Sequence, residues 1–314
     1  MILLADTKQF VFFDFEMLCS NRGMPFEKME AIRLGAVIYN IETKETAFFD
    51  RFIKPLSNEP LSVFCRKLTG ISDTDLVGAN CFSVVFEEFL TWVGGIKKSR
   101  FFSWSKSDLM RLRLDAMLHK LPETTISKIE KRYVDFQDIF TKRVTKTNYS
   151  VENALKLYDL SFFGDAHNPM YDAFNTLRIY LEFLNNPFKS DLIMLHHYVF
   201  EGKEYKYEQI HREIKNQFNE DCAIYFSELR DMYRMKDAYK VIKRTKKLVD
   251  KYENIVVNRA NIFSEQLSIK ITIFIRFYHD LLLSYEEHAA YASKIMILDD
   301  YMMKSHKDQL LKQG

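Results

Sequence analysis

The sequence predicts an α/β fold for its first part and a mainly α-helical domain for its second part. All six prolines lie at or before Pro187, and the only later glycines are Gly202 and Gly314. Since these two residue types end helices and punctuate strands, residues 188–314 should be almost wholly helical. The earlier residues show strands first and then strands alternating with helices, which is typical of a mixed sheet with flanking helices. We therefore predict two domains, 1–187 and 188–314.

The elements of the first domain follow from apolar runs bounded by turn residues. Three strands open it and should form an antiparallel meander: Phe10–Phe15, Ile32–Tyr39 and Thr46–Ile53. A helix, a short apolar strand, a second helix and a brief strand follow, at Cys81–Val93, Arg100–Trp104, Leu109–Lys120 and Tyr133–Asp135. Asn168 and Pro169 predict a further helix that runs to about Asn185, because an N-cap residue is followed by proline at the first helical position.

Composition excludes several classes of protein. With 314 residues and 47% hydrophobic content, the chain can bury a sizeable core and is not disordered. Its 45 basic and 43 acidic residues nearly balance, so any binding to a polyanion depends on locally clustered charge. The four cysteines are scattered without a C-x-x-C spacing, so we expect reduced thiols and not a zinc site or a redox pair.

Two stretches bear on localisation. The opening MILLADTKQF has too short an apolar run for a signal peptide. The most apolar later stretch, 266–283, is interrupted by Lys270, Arg276 and Asp280, which argues against a membrane span. We expect a soluble, cytoplasmic protein.

Asp14 and Glu16 are the first candidate site residues. In Val11-Phe-Phe-Asp-Phe-Glu16 the period of two puts both acids on one face of a strand and Phe13 and Phe15 on the other. Two unit charges about 5 Å apart repel by roughly 3 kcal/mol at an effective dielectric constant of 20. The pair therefore needs a proton or a cation, unless the strand lies at an edge and its polar face is merely solvated.

Asp108 is the second candidate, because it follows the apolar strand near the point where a helix begins. The ends of strands are common positions for sites in α/β sheets. The alternative is that Asp108 simply caps the helix that contains Leu109 and Leu112.

His167 and Asp172 form the third candidate motif. Asp172 lies one turn into the helix that starts at Pro169, and His167 precedes this helix on a loop. This spacing suits a rigidly held metal ligand and a base that can move. A lone histidine before a helix is otherwise a surface or capping residue.

Together these side chains suit phosphodiester hydrolysis. Carboxylates from separate segments are the oxygen ligands that Mg²⁺ or Mn²⁺ requires. Two such ions about 3.5–4 Å apart can hold the attacking and the leaving oxygen of an in-line displacement. A histidine can take the proton of the attacking water.

The order and spacing of these motifs resemble the DEDDh 3′→5′ exonuclease superfamily, which includes RNase T and the epsilon proofreading subunit of bacterial DNA polymerase III. Residues 14–19, D-F-E-M-L-C, are similar to the D-F-E-A-T-C signature of the branch that holds the KapD proteins and the histone-mRNA 3′ exonuclease. Leu68-Thr-Gly-Ile-Ser72 and Asp172-Ala-Phe-Asn-Thr-Leu177 also match. The resemblance covers roughly residues 8–187.

The resemblance implies an RNase H-like fold with a mixed five-stranded sheet. It implies that Asp14, Glu16 and Asp172 bind a first divalent ion. It also implies that Asp14 contacts a second divalent ion, on which Asp108 acts, often through a water molecule. His167 would be the general base. The products would be nucleoside 5′-monophosphates released from a free 3′ end.

Some residues are candidates for substrate binding. Met17 and Leu18 stand where that branch usually has Ala and Thr, at the place of the terminal nucleotide, so its substrate preference does not carry over directly. Trp104 and Tyr171 are aromatic residues beside the motifs that could stack on bases.

A basic stripe lies on a predicted amphipathic helix between Lys236 and Lys251. It includes Lys240, Lys243, Arg244 and Lys247, and it is either a solvated face or an electrostatic track for a phosphate backbone. The helical domain as a whole would bind substrate, a protein partner or a second copy of the chain.

Three functions therefore remain at this point. The first is an exonuclease acting on single-stranded RNA, favoured because the similar branch acts mainly on RNA. The second keeps this chemistry with DNA as substrate. The third is a regulatory protein-binding module, as in a KapD-like sporulation regulator, although none of the acids is missing.

Overall fold

The computed structural model describes residues 6–203, 209–298 and 300–311. Residues 1–5, which belong to the opening segment considered above for a signal peptide, lie outside this range. The chain divides into two compact units. The first unit comprises the residues up to Lys142 and Thr147–Asn185, and the second comprises Arg143–Lys146 and the residues from Asn186 onward. A domain boundary at residue 187 stays a proposal.

The first unit contains a six-stranded mixed sheet in the order β4-β3-β2-β1-β5-β6. Its strands are β1 Gln9–Met17, β2 Ala31–Asn40, β3 Thr46–Lys54, β4 Asn80–Cys81, β5 Ser99–Ser103 and β6 Tyr133–Asp135. The predicted antiparallel meander of β1, β2 and β3 is confirmed, and β5 pairs parallel to β1. The sheet has one strand more than predicted, namely β4. This strand is only two residues long, so it leaves no alternating pattern in the sequence by which it could be predicted.

The helices of the first unit cover the sheet. They are α1 Val63–Thr69, α2 Asp73–Val77, α3 Phe82–Val93, α4 Lys106–Leu118, α5 Glu123–Glu130, α6 Phe136–Phe140, α7 Val151–Leu157 and α8 Pro169–Asn185. The predicted span of α8 is confirmed, whereas α4 begins three residues earlier than predicted. The earlier start follows from Ser105, whose hydroxyl accepts a hydrogen bond from the Ser107 N–H and caps the helix.

The two faces of β1 bury different aromatic rows. Phe13 and Phe15 pack in an apolar core with residues of α3 and α4. Phe10 and Phe12 point to the other face, where their ring centroids lie 5.3 and 5.4 Å from that of Tyr180 on α8. Burying a phenylalanine stabilises the fold by roughly 1.5–3 kcal/mol, so these rows hold α3, α4 and α8 firmly to the sheet.

The second unit is mainly helical, as predicted. Its helices are α9 Pro187–Met194, α10 Ile210–Ser227, α11 Met235–Val257, α12 Glu265–Ala290 and α13 Asp300–Leu311. Their core includes Phe218, Tyr252, Phe274 and Phe277, all buried. The expectation of an almost wholly helical part missed a two-stranded antiparallel sheet of β7 Met232–Arg234 and β8 Ile295–Ile297. Three-residue strands so far apart in sequence have no local signature.

No helix within the described residues is long and apolar enough to cross a membrane. The four cysteines are free thiols, as expected.

Candidate active site

Asp14 and Glu16 lie side by side near the end of β1. This strand is central, with β2 on one side and β5 on the other. The two acids continue the row of side chains that faces α8, opposite Phe13 and Phe15. The edge-strand alternative is therefore wrong, and the two carboxylates occupy a partly buried position.

Asp172 joins this pair from the first turn of α8. One carboxylate oxygen from each of Asp14, Glu16 and Asp172 can be chosen so that all three lie within 4.8 Å of one another. Three oxygen ligands at this separation suit a hard divalent cation, which is coordinated by carboxylates and keeps further positions for water or phosphate. The sequence placed these three residues in one site, and the fold brings them together.

Gly35 is a site residue that the sequence analysis missed. It is the residue of β2 paired with Asp14. A Cβ atom at this position would lie 1.9 Å from the backbone nitrogen of Met170 and 2.2 Å from the carbonyl carbon of Pro169. No side chain fits in that space, so the first turn of α8 rests directly on β2. The available signal was a glycine inside an apolar strand, which often marks a close approach of another backbone.

Asp108 lies beside the three acids, held by the backbone of β1. It sits in the first turn of α4, and the N-cap of this helix is Ser105, so the capping alternative is wrong. Parallel pairing with β5 covers only residues 9–12 of β1. Beyond that point the N–H of Phe15 donates instead to Oδ1 of Asp108 at 3.2 Å. Asp108 is only 4% exposed, so its carboxylate has a fixed place at this edge.

The pKa values of all four acids are raised. Burial, and after it the charges of Asp108, Asp172 and Glu16, hold the pKa of Asp14 well above its usual range. Burial, with Asp172 and Asp108 nearby, raises the pKa of Glu16 to about 8. Burial is also the main cause that raises the pKa of Asp108 to about 7 and that of Asp172 to about 6. The cluster can therefore be fully ionised near neutral pH only with a compensating positive charge, as a divalent ion would supply.

His167 lies on the loop immediately before α8. Its backbone is in the left-handed region, with φ of 62°, which costs roughly 1–3 kcal/mol for a residue other than glycine. Its N–H donates to the Asp172 carboxylate, and the positive charge of a protonated imidazole lowers the pKa of that acid. The side chain is exposed. The loop thus places an imidazole beside the acids with room to move, as a proton acceptor requires.

Asn175 is a second residue that the sequence analysis did not single out. Its side chain is fully buried on α8 and its Nδ2 donates to the carbonyl oxygens of Phe163 and Tyr171, at 2.9 and 2.8 Å. Its Oδ1 accepts from the N–H of Phe163 at 3.1 Å. Asn175 therefore ties the start of the loop that carries His167 to the helix that carries Asp172.

The predicted substrate-binding residues of the first unit have different environments. Met17 is half-buried and follows a register shift in β1 directly after Glu16. Leu18 is buried in a small apolar cluster. Tyr171 is half-buried and its ring packs against Phe163, 5.8 Å between centroids. Met17 and Tyr171 thus keep exposed surface next to the acids, and Leu18 does not.

Trp104 lies inside the core. It is 8% exposed, its ring packs against Phe136 and Phe140, and its Nε1 donates to the carbonyl oxygen of Tyr149 at 2.9 Å. Little of the ring is left to stack on a base, which favours a role for Trp104 in core packing.

The predicted basic stripe lies on α11 in the second unit. Lys240 pairs with Asp237 at 3.0 Å, and Arg244 pairs with Glu228. The ammonium group of Lys243 lies over the ring of Tyr239, 4.6 Å from its centroid. Acidic side chains thus neutralise Lys240 and Arg244, two of the four basic residues named for this stripe. This favours the interpretation as a solvated face over a track for phosphates.

Comparison with known proteins places residues 11–180 in one family, because a family model described as RNase_T exonuclease matches them. All five candidate residues fall within this match. The chain is 27% identical over 187 residues to the 3′-5′ exonuclease crn-4 of Caenorhabditis elegans, which covers 55% of this chain and 61% of that protein. It is 27% identical over 185 residues to 3′-5′ exoribonuclease 1 of Mus musculus, covering 55% and 52% of the two chains. The chain thus spans between half and two thirds of the length of these relatives.

Solved structures confirm the predicted fold. The nuclease domain of 3′hExo, a DEDDh family member bound to rAMP, superposes with a TM-score of 0.53 at 22% identity, covering 58% of this chain and 94% of that chain. The structure of cell-death related nuclease 4 superposes with a TM-score of 0.50 at 23% identity, covering 58% and 65%. The mixed sheet with flanking helices is therefore the RNase H-like fold that the resemblance implied.

Proposed function

This chain belongs to the RNase T exonuclease family, and we propose that it is a metal-dependent 3′→5′ exonuclease acting on single-stranded nucleic acid, with RNA as the preferred substrate. One observation carries the proposal: carboxylates of Asp14, Glu16 and Asp172, from two separate segments, meet within 4.8 Å. The names of the relatives, a 3′-5′ exonuclease and a 3′-5′ exoribonuclease, support the same reaction and direction.

The donor set fits two divalent ions, Mg²⁺ or Mn²⁺. Asp14, Glu16 and Asp172 would hold one ion, and Asp14 with Asp108 would hold the other. All four donors are carboxylates, which both ions prefer to nitrogen or sulfur ligands. Their raised pKa values also mean that binding of a cation would release protons. When bound, such a pair of ions lowers the pKa of water and offsets the charge that builds up on the phosphate.

The residues of the chain would position and deprotonate the attacking water. His167 takes the water proton on an imidazole nitrogen while the water oxygen attacks the terminal phosphorus atom. The bond from phosphorus to the 3′ oxygen of the preceding nucleotide breaks, this oxygen takes up a proton from solvent, and a nucleoside 5′-monophosphate leaves. Asp108, held by the N–H of Phe15, and Asp172, held by α8, keep their carboxylates fixed throughout.

The preference for RNA rests on the relatives, and one experiment tests it. Single-stranded RNA and DNA oligonucleotides of one sequence, labelled at the 5′ end, are incubated with the full chain and Mg²⁺ or Mn²⁺. We expect stepwise shortening from the 3′ end with release of 5′-monophosphates, faster from RNA. Faster release from DNA would favour the DNA-directed alternative. No release from either substrate would favour the regulatory protein-binding alternative.

Variants of the acids tie the activity to this site. Asp14→Asn and Asp172→Asn keep the shape of the side chain and remove its charge, so each should abolish release. Glu45→Gln is the matched control, since Glu45 lies on the exposed turn beside Asn40, which pairs with the opposite end of β1 at Gln9. A cytoplasmic location, and a role of the second unit in binding substrate, a partner or a second copy, stay predictions.

A further inference from the structure

The second unit contains a cavity of about 570 Å³ between α10 and α11. One wall carries Asp221, Ile224, Tyr225 and Glu228, and the facing wall carries Arg244, Lys247, Leu248 and Lys251. Each set follows the spacing i, i+3, i+4, i+7, so each forms one face of its helix. We call this cavity the α10–α11 slot. Its volume lies within the range of small-molecule sites, roughly 300–1,000 Å³.

Two ion pairs join the walls of the slot. At one end Lys251 Nζ lies 2.6 Å from Asp221 Oδ2, which also accepts a hydrogen bond from the hydroxyl of Tyr252 at 2.6 Å. At the other end Arg244 pairs with Glu228, and its guanidinium lies over the Tyr225 ring, 5.0 Å from the centroid. Seven residues separate the two pairs along each helix, which is about 10 Å at 1.5 Å per residue. A slot of this length suits a small molecule and not a polymer.

Lys247 is the cation in the slot that can pair with a ligand. It is exposed, and no acidic partner for it lies among the residues that the structure describes. The other cations of the lining are already paired, Lys146 with Glu201 at 3.0 Å for example. Between the two ion pairs the walls are apolar, formed by Ile224, Tyr225 and Leu248.

The acids around the slot restrict the charge of the ligand. Four of them line it: Glu201, Asp221, Glu228 and Asp250. Each of these acids is paired with a cation, Glu201 with Lys146, Asp221 with Lys251, Glu228 with Arg244 and Asp250 with Lys246. Lys247 is therefore left to pair with one negative charge, and a second or third charge on the same ligand would find no partner. A carboxylate matches this arrangement better than a phosphate monoester, which carries nearly two charges at neutral pH.

We propose that the α10–α11 slot binds a small organic monoanion, a carboxylate attached to an apolar body. The carboxylate pairs with Lys247, and the apolar body lies against Ile224 and Leu248. This site is separate from the proposed exonuclease reaction and does not depend on it.

Calorimetric titration of the full chain with three probes tests the proposal. 4-Phenylbutyrate carries the required charge and apolar body, 4-phenylbutan-1-ol has the same body without the charge, and AMP carries the extra charge. We expect millimolar or tighter binding of phenylbutyrate and about tenfold weaker binding of the alcohol, as for the loss of one charge-assisted hydrogen bond. Lys247→Gln should weaken phenylbutyrate binding by a similar factor, and Lys247→Arg should restore most of it.

Lys243→Gln is the control, because Lys243 is an exposed lysine on the same helix that does not line the slot. It should leave phenylbutyrate binding unchanged. The proposal is overturned by no binding of phenylbutyrate at millimolar concentration, by equal binding of acid and alcohol, or by equal effects of Lys243→Gln and Lys247→Gln. AMP binding that is tighter than that of phenylbutyrate and lost in Lys247→Gln would overturn the assignment of a monoanion.

Discussion

The backbone nitrogen of Met170 lies only 1.9 Å from the position that a Cβ atom on Gly35 would occupy. Gly35 pairs with Asp14 on the neighbouring strand, and Met170 stands two residues before Asp172 on α8. The absence of one side chain thus lets the helix and the sheet bring their carboxylates into one cluster. The proposed metal site depends on this contact.

Gly35→Ala should therefore impair the site while leaving most of the fold intact. The new methyl group must displace the first turn of α8, and such overpacking costs roughly 1–3 kcal/mol of stability. A shift of about 1 Å in Asp172 and His167 should lower exonuclease turnover by about 10²-fold. Steady-state kinetics and thermal unfolding of the variant measure both effects.

Gly78→Ala provides the comparison for Gly35→Ala. A Cβ at Gly78 meets no atom within 4 Å and its φ is −98°, so this substitution should change neither activity nor stability appreciably. Full activity in Gly35→Ala would mean that α8 does not need this contact to place Asp172.

The local parts of the site could be predicted from sequence because they follow from short-range rules. Alternation along β1 put Asp14 and Glu16 on one face. An N-cap residue followed by proline fixed the start of α8 at Pro169, and with it Asp172 in the first turn. The order of these motifs along the chain then sufficed for the family resemblance.

The non-local parts could not be predicted. The contact between Gly35 and Met170 joins residues more than a hundred positions apart, and a single glycine in a strand does not say which backbone approaches it. The pairing of β7 with β8 likewise joins residues that are far apart in the sequence. Trp104 resembled a stacking residue from its position beside the motif, yet packing against Phe136 and Phe140 buries it.

His167→Ala should separate proton transfer from metal binding. Loss of a general base lowers turnover by about 10²–10⁴-fold. The carboxylates remain, so Mn²⁺ affinity measured by calorimetry should stay close to that of the wild type. Undiminished turnover would remove the base from its proposed role, and loss of Mn²⁺ binding would make the residue a part of the metal site.

The metal-free protein should lose stability as pH rises through the range where Glu16 ionises. The pKa of Glu16 is about 8 in the folded state against an ordinary value of 4.5, so between these two pH values the folded state holds a proton that the unfolded state has already released. Stability from this group is present below pH 4.5 and is lost as pH rises through about 8. Glu16→Gln has no carboxyl group to titrate at this position. Comparison with this variant therefore isolates the effect of Glu16 ionisation on stability.

The melting temperature of the wild type, relative to that of Glu16→Gln, should therefore fall between pH 6 and 9, a range that brackets the folded pKa of about 8. Saturating Mg²⁺ should reverse the fall, because the cation stabilises the ionised carboxylates. A constant difference between the two proteins across this range, with or without Mg²⁺, would contradict the raised pKa.

Arg111→Met should destabilise the first unit strongly. Arg111 is 1% exposed, pairs with Asp115 at 2.8 Å, and donates to the carbonyl oxygens of Phe26 and Met29. Removing one partner leaves a buried charge on Asp115 uncompensated, which typically costs about 3–5 kcal/mol. Urea denaturation measures the change in the free energy of unfolding.

Arg113→Met is the matched variant for Arg111→Met, since Arg113 lies on the same helix and pairs with Glu130 while 64% exposed. A surface ion pair of this kind contributes about 0–1 kcal/mol to stability, so Arg113→Met should change the free energy of unfolding only slightly. Equal effects of the two substitutions would show that burial does not determine the contribution of these pairs.

A crystal of the full chain soaked in Mn²⁺ tests the metal site most directly, through the anomalous scattering of that ion. We predict an anomalous peak coordinated by Asp14, Glu16 and Asp172, and loss of that peak in Asp14→Asn crystals. A map with Mn²⁺ bound elsewhere, and none among these three carboxylates, would contradict the account.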